Sequence, residues 1–244
     1  MENTNISKKT NTKELIKRVL PDHHDQFAVE IGEQRSQDWF SIRSSGKKIV
    51  LKGPNQVSIA NALNWYLKYK CNSQVSFYRS QLELPEILPP VNDTIHHSSN
   101  FKYRYYLNYC TFSYSMPWWN WEEWERMIDI MLMNGINLAL AIIGQEAVWQ
   151  NVLKKVGMSS SEILEFLPGP AYLAWSWMGN LDSWGGPTTQ NWIDDQKELQ
   201  VKIVNRMREL GITPVLQAFT GRVPEKFKQI FPDSKIQQLP GWFE

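Results

Sequence analysis

Cysteine is scarce in this chain. Cys71 and Cys110 are the only two, too few for a disulfide framework. No apolar run approaches the roughly 18–20 residues that a membrane-spanning helix requires. Neither the GxGxxG pattern nor the P-loop pattern occurs, which argues against a nucleotide site. Charge of one sign is also missing, with 26 basic residues against 25 acidic ones. A phosphate backbone needs a basic surface, so nucleic acid is not an expected partner. The opening stretch, MENTNISKKTNTKELIKRVL, lacks the apolar centre of a secretory signal. No export signal is visible in the sequence as encoded, and the localisation is left open. Asn5-Ile6-Ser7 and Asn92-Asp93-Thr94 match the glycosylation sequon, which matters only on a eukaryotic secretory route. The pairs His23-His24 and His96-His97 have no Cys or acidic neighbours at metal-ligand spacing and read as surface histidines, with no metal expected.

What remains is an ordinary globular composition, 42% hydrophobic and 21% charged over 244 residues, enough for one large or two modest domains. From about residue 12 to 83 the chain reads as a small α/β unit. Phe27, Val29 and Ile31 alternate as in a half-buried strand, and KKIVLK at 47–52 reads as another. After Gly53-Pro54-Asn55, the residues Ile59, Ala62, Leu63, Tyr66 and Leu67 form the apolar stripe of a helix. QVSFY at 74–78 reads as a strand. Residues 84–100, with three prolines and little periodicity, read as a linker. The domain boundary is accordingly placed between an N-terminal α/β domain at 12–98 and a second domain at 99–244.

The second domain opens on YRYYLNYC at 103–110, an aromatic strand candidate. Trp118, Trp119, Trp121 and Trp124 then crowd into seven positions. A helix is expected from Asn120, whose side chain can cap with Glu123 three residues on. INLALAII at 136–143 is a continuous apolar run, the mark of a strand buried on both faces. A helix over 147–156 ends at Gly157, a long insertion runs through Pro187, and Asn191 is expected to cap the next helix. Gly211 ends that helix, ITPVLQAF at 212–219 reads as a buried strand, and Pro224 opens a further helix. The grammar of a helix-ending glycine leading into a strand occurs at NGINLALA and again at LGITPVLQ. Strand–helix alternation allows an open doubly wound sheet or a (β/α)8 barrel. Polar residues at the strand ends (Asn108 and Cys110, Gln145 and Glu146, Thr220 and Arg222) favour the barrel, whose sites are built on that face. A whole barrel takes about 250 residues, and this segment supplies about three strand–helix units.

The residues from Tyr103 to Gln150, with FLPGPAYLAWSWMGNLDSWGGP and GITPVLQAFTGRVPEKFKQIFP, resemble the start of the catalytic domain of glycoside hydrolase family 89, the alpha-N-acetylglucosaminidases. The segment before them resembles that family's small N-terminal domain. The resemblance implies exo-hydrolysis of glycans ending in α-linked N-acetylglucosamine, with retention and without metal or organic cofactor. Retention uses two carboxylates about 5–5.5 Å apart. In the family these are glutamates in motifs resembling FNE and APEG, and neither motif occurs in these residues. No catalytic residue is assigned here, and the chain by itself is expected to be inactive. The resemblance does place substrate-binding residues in it: Asn108 and Cys110, Trp175 and Met178, and Trp242 in PGWFE. Arg222 stands where the family has a histidine.

Each of these has a plainer account. Asn108 can serve as a cap through its amide, and Cys110 can be a buried thiol. Trp121 and Trp124 fall on the helical stripe and read as packing. Trp118 and Trp119 precede the helix, where they can wall a pocket, although packing is the favoured account for all four. Glu146 reads as a first-turn or site-face carboxylate that bonds a neighbouring loop or a sugar hydroxyl. A non-catalytic carbohydrate-binding or interaction module derived from the family is the competing reading.

Overall fold

The computed structural model describes residues 2–218 and 220–238. Contacts divide the chain into two compact units. The first holds the chain up to Tyr106 together with Glu122–Ala139 and Asn205–Pro214. The second holds Leu107–Trp121, Leu140–Val204 and the described residues from Val215 on.

The first unit begins with helix α1, Glu2–Val19, which the polar composition of the segment concealed. Its inward face is short: Thr12, Leu15 and Ile16 are buried, and Thr12 Oγ1 donates back to Lys8 O at 2.8 Å. Strands β1 (Phe27–Ile31), β2 (Trp39–Ser45) and β3 (Lys48–Gly53) follow. β1 and β3 are parallel, with Phe27 opposite Ile49, while β2 runs antiparallel to β3. The hairpin closes at Ser45↔Lys48 through Gly46, at φ 58°. A residue without Cβ suits that left-handed turn. β2 escaped detection because its first four residues are all buried, so it lacks the alternation of a one-sided strand.

Helix α2, Gln56–Lys70, matches the expected stripe: Ile59, Ala62, Leu63, Tyr66 and Leu67 are fully buried. Asn55 caps it, its side-chain oxygen accepting from Ser58 N at 2.9 Å. Two expectations fail in the stretch that follows. Residues 74–78 form no strand, only an isolated bridge between Gln74 and Gln81, because Ser76 Oγ closes a local turn onto Arg79. The linker at 84–100 contains edge strand β4, Ile95–Ser98, paired antiparallel with β2. The sheet order is β1-β3-β2-β4.

Strands β5 (Tyr105–Tyr106), β6 (Leu138–Leu140) and β7 (Thr213–Val215) make a second sheet in the order β5-β6-β7. β5 and β6 are parallel, with Tyr105 opposite Leu138. Thr213 N donates to Asn137 O and Ala141 N to Val215 O, both at 2.9 Å, so β7 climbs in the same direction. Successive strands are thus neighbours with no reversal of order, which fits a barrel segment rather than a doubly wound switch point. Each strand is shorter than expected. β5 stops because Leu107 turns left-handed at φ 75° and Asn108 opens helix α3, Tyr109–Tyr114. Phe219, at the end of the third expected strand, lies outside the described residues.

Helix α4, Trp121–Met133, leads into β6, and helix α5, Gln145–Lys155, follows it. The glycine device is a Schellman closure in every instance. Gly135 N donates to Leu132 O and Ile136 N to Met131 O; Gly157 N donates to Lys154 O and Met158 N to Leu153 O; Gly211 N donates to Arg208 O and Ile212 N to Met207 O. All three glycines have positive φ.

Within the first unit α4 is tied to α1 by Arg18, which donates to Asp129 at 2.7 and 2.8 Å, and Arg206 meets Glu125 at 2.6 Å. The insertion contains short helices α6 (Ser160–Phe166) and α7 (Leu173–Trp177). Ser159 and Glu162 form a capping box on α6. Helix α8, Gln190–Leu210, starts before Asn191, so Asn191 is not its cap; Trp192 N donates to Thr189 Oγ1 at 3.2 Å instead. Likewise, Pro224 does not start a helix directly. It accepts from Phe227 N in a turn that leads into helix α9, Phe227–Ile230. Leu153, Ile163, Phe166, Leu167 and Ile193 form the core of the second unit. No helix among the described residues is long and apolar enough to cross a membrane.

Candidate functional site

The residues singled out at the strand ends lie in the second unit, where α3 packs on α7. Ser113 Oγ accepts from Ala174 N at 3.0 Å in a buried contact. Phe112 meets Trp177 edge to face at 6.1 Å, and Tyr114 meets Trp175 at 5.3 Å and 85°. This helix pair therefore carries Asn108 and Cys110 at the start of one member and Trp175 at the heart of the other, with Met178 as its C-cap.

Asn108 is exposed and caps α3, not a strand end. Its Oδ1 accepts from Thr111 N at 3.1 Å and from Thr111 Oγ1 at 2.9 Å. The oxygen is committed, and the amide nitrogen is the group left for a ligand. Cys110, expected in a strand, is instead a half-buried free thiol in the first turn of α3. Trp175 and Met178 are half-buried. Trp242 lies outside the described residues.

The C-terminal end of α7 is held from the segment after β7. Gly179, at φ 80°, donates to Ser176 O, and Asn180 N donates to Trp175 O, a fourth closure of the same type. Gln217 Nε2 donates to Trp177 O. Arg222 Nη1 donates to Ser176 O at 2.9 Å and to Ser176 Oγ at 2.8 Å, and its guanidinium lies 5.0 Å from the centroid of the Phe166 ring. Asp182 Oδ2 stands 3.1 Å from Arg222 Nη2, an ion-pair contact without hydrogen-bond alignment. A histidine lacks the fork that makes these contacts at once. Arg222 is thus the clamp on the segment bearing Trp175 and Met178, a role that sequence reasoning missed. In the sequence its signal was an arginine where the resemblance implies a histidine. Arg222→Ala is expected to lower stability by about 2 kcal/mol in urea unfolding, because it removes charge-assisted bonds from a side chain only 13% exposed. Asp182→Ala, at a carboxylate 51% exposed, is expected to cost under about 1 kcal/mol. Equal losses would refute the ranking.

Glu146 follows β6 on the second residue of α5 and is 1% exposed. Its Oε1 accepts from Trp192 Nε1 at 3.2 Å, so it bonds a helix and not a loop. Its Oε2 has no hydrogen-bond partner among the described residues. The carboxyl borders a cavity of about 10 Å³ whose other walls include Met116, Ile143, Leu173, Trp177 and Trp192. Burial raises its pKa from 4.5 to about 7, against the opposing pull of a backbone hydrogen bond and Trp192. On its other side Trp192 meets Trp118 edge to face at 5.4 Å. A single buried acid with no second carboxylate on its cavity wall cannot provide the acid and nucleophile pair.

In the first unit a cavity of about 260 Å³ is lined by Asp38, Trp65, His97 and Arg104, among others. Arg104 spends its donors on Asp38 Oδ2, Phe101 O and Gly135 O, which leaves the charges there mutually satisfied. Among the described residues no three His, Cys, Asp or Glu side chains converge as a metal site would require.

The family model described as the alpha-N-acetylglucosaminidase (NAGLU) tim-barrel domain matches residues 104–244, and that of its N-terminal domain matches residues 10–90. Human alpha-N-acetylglucosaminidase is 44% identical over 234 residues, which is 93% of this chain and 32% of the human protein. A family 89 glycoside hydrolase from Clostridium perfringens, solved with 2-acetamido-1,2-dideoxynojirmycin, superposes with a TM-score of 0.94 at 38% identity over 99% of this chain. The same Clostridium perfringens enzyme, solved with its substrate GlcNAc-alpha-1,4-galactose, gives the same TM-score and identity. The chain spans about a third of the human relative and 28% of the bacterial chain. With α/β architecture, an N-terminal domain and part of a TIM barrel behind it, this chain belongs to the alpha-N-acetylglucosaminidase family, glycoside hydrolase family 89.

Proposed function

We propose that these residues form the N-terminal portion of a retaining exo-glycosidase that removes terminal α-linked N-acetylglucosamine. In this reading residues 12–98 are a supporting domain and residues 99–244 the first part of the catalytic barrel. Asn108, Cys110, Trp175 and Met178 wall the pocket for the sugar, with Trp242, outside the described residues, as a further sugar-binding candidate. The observation that carries the reading is the packing of α3 on α7, which joins two sequence-distant groups of pocket candidates in one helix pair. The substrate of the bacterial relative, a disaccharide with terminal α-linked GlcNAc, supports the substrate class.

The chemistry follows from the side chains. The Asn108 amide nitrogen donates to a sugar hydroxyl or to the acetamido oxygen, its own oxygen being held by Thr111. The Trp175 ring offers a large apolar face to the pyranose at small entropic cost. Cys110 supplies a small polarizable wall. The two carboxylates of a retaining mechanism are absent from this set, so binding and turnover separate in the 244-residue chain.

The chain is expected to bind N-acetylglucosamine in a calorimetric titration at millimolar sugar and to release no chromophore from a chromogenic α-N-acetylglucosaminide. Turnover at enzyme-like rates refutes the assignment of inactivity. A flat titration by folded protein refutes the pocket, and with it the alternative of a carbohydrate-binding module.

A further inference from the structure

We propose that the cavity between helices α3, α5, α7 and α8 is an internal water site, in which a single water accepts from Glu146 Oε2 and Trp177 Nε1 and so ties α7 to α5. The site lies inside the second unit and does not depend on the sugar reading.

Two polar groups on the wall of this cavity lack a bond. Glu146 is 1% exposed and Trp177 5%. Glu146 Oε2 and Trp177 Nε1 are both buried without a hydrogen-bond partner among the described residues, and both residues line the cavity of about 10 Å³. Native interiors pair nearly all such groups, because a buried donor or acceptor without a partner loses its hydration and gains nothing in return. Neither side chain is free to reach the other. Glu146 Oε1 is held by Trp192 Nε1 at 3.2 Å, and the Trp177 ring packs edge to face on Phe112 at 6.1 Å. Gln217 and Arg222 fix the α7 backbone beneath that ring.

The count of protons selects the occupant. An indole N–H only donates. Burial keeps the Glu146 carboxyl protonated up to about 7. Since Oε1 accepts from Trp192, the proton sits on Oε2, which then donates as well. Two donors cannot satisfy one another, and together they repel a cation. They require one acceptor with two lone pairs, which a water oxygen supplies. Its own hydrogens have two groups on the same wall: Ser113 Oγ, with a lone pair left beside its bond from Ala174 N, and the Gln196 side chain. Three or so bonds are usual for a buried water. Volume sets the number, since about 10 Å³ is what one water needs and leaves no space for a second or for an organic ligand. Met116, Ile143 and Leu173, all buried, close the wall. A line of bonds thus runs from Trp192 through Glu146 and the water to Trp177, joining α8, α5 and α7.

A high-resolution electron-density map of the 244-residue chain is expected to show one ordered water within about 3.2 Å of both Glu146 Oε2 and Trp177 Nε1. In solution, the Trp177 indole proton, identified by its loss in Trp177→Phe, is expected to give a nuclear Overhauser peak to water. It should also exchange with solvent at least about a hundredfold more slowly than the indole proton of exposed Trp118. Glu146→Gln places an amide N–H where the acid O–H stood and is expected to keep the water peak, while Glu146→Leu is expected to lose it. An empty cavity in the map, or a Trp177 indole signal without the water peak, overturns the site. Persistence of the peak in Glu146→Leu, or its loss in folded Glu146→Gln, overturns the bridge to α5.

Discussion

Trp124→Ala is expected to destabilise the protein by about 4 kcal/mol, the usual range for a tryptophan cut out of a packed core. Trp118→Ala is expected to change stability by less than about 0.5 kcal/mol. Trp124 is 1% exposed on α4, on the same face as Met127, Ile128, Met131 and Leu132, all buried. Trp118, six positions earlier, is 68% exposed and touches Trp192 only edge on. The difference divides the tryptophan cluster into a core anchor and a surface ring, and urea unfolding of the two variants measures it. A loss below about 1 kcal/mol for Trp124→Ala would mean that the site collapses around the gap and that the stripe does not anchor α4.

The second large effect is a pH dependence centred on Glu146. Its pKa rises from 4.5 to about 7 on folding, so the native state holds a proton that the unfolded chain releases. Stability from this group is full below about 4.5 and is lost as the pH climbs through about 7. At roughly 1.4 kcal/mol per pH unit the loss amounts to about 3 kcal/mol. Glu146→Gln keeps an acceptor for Trp192 Nε1 and has no proton to lose. The variant is therefore expected to be more stable than the parent at pH 8 and to match it near pH 4.5. Parallel stability curves for the two proteins from pH 4.5 to 8 would sink the argument. Glu162 acts in the opposite sense at lower pH. Lys226 first, then the Ser159 backbone N–H, hold it at about 2, so its contribution exists above 4.5 and fades as the pH falls toward 2.

The candidate site was half legible in the sequence. Asn108 and Trp175 are sixty-seven positions apart in the sequence, and no periodicity connects them. The resemblance nominates both, but the pairing of the two helices that carry them depends on Ser113 and Ala174, a contact with no local signature. Cys110 was assigned the wrong kind of element because an aromatic run such as YRYYLNYC has strand propensity throughout, while one left-handed residue, Leu107, ends the strand after two positions. Glu146 reads in the sequence as a first-turn or site-face carboxylate, and it does sit in the first turn of α5. Only the wall of Trp192, Trp177 and Leu173 shows it to be enclosed.

Local rules carried the rest. Helices α2, α4 and α8 follow from apolar periodicity, and their endings at Gly135 and Gly211 follow from the need for positive φ in a Schellman closure. Those signals reside in residues three to five positions apart, so the amino-acid sequence by itself determined them, together with the succession β5, α4, β6, α5, α8 and β7. Tertiary structure decided what depends on distant partners: helix α1, whose few inward residues have value only against the sheet and α2; β2, which pairs with β3 and β4, and the edge strand β4, which forms on β2; the burial that shifts Glu146; and the Arg222 clamp on α7. Hydrogen bonds across a sheet and desolvation of a carboxyl are set by what lies opposite, and a linear pattern does not record its opposite wall.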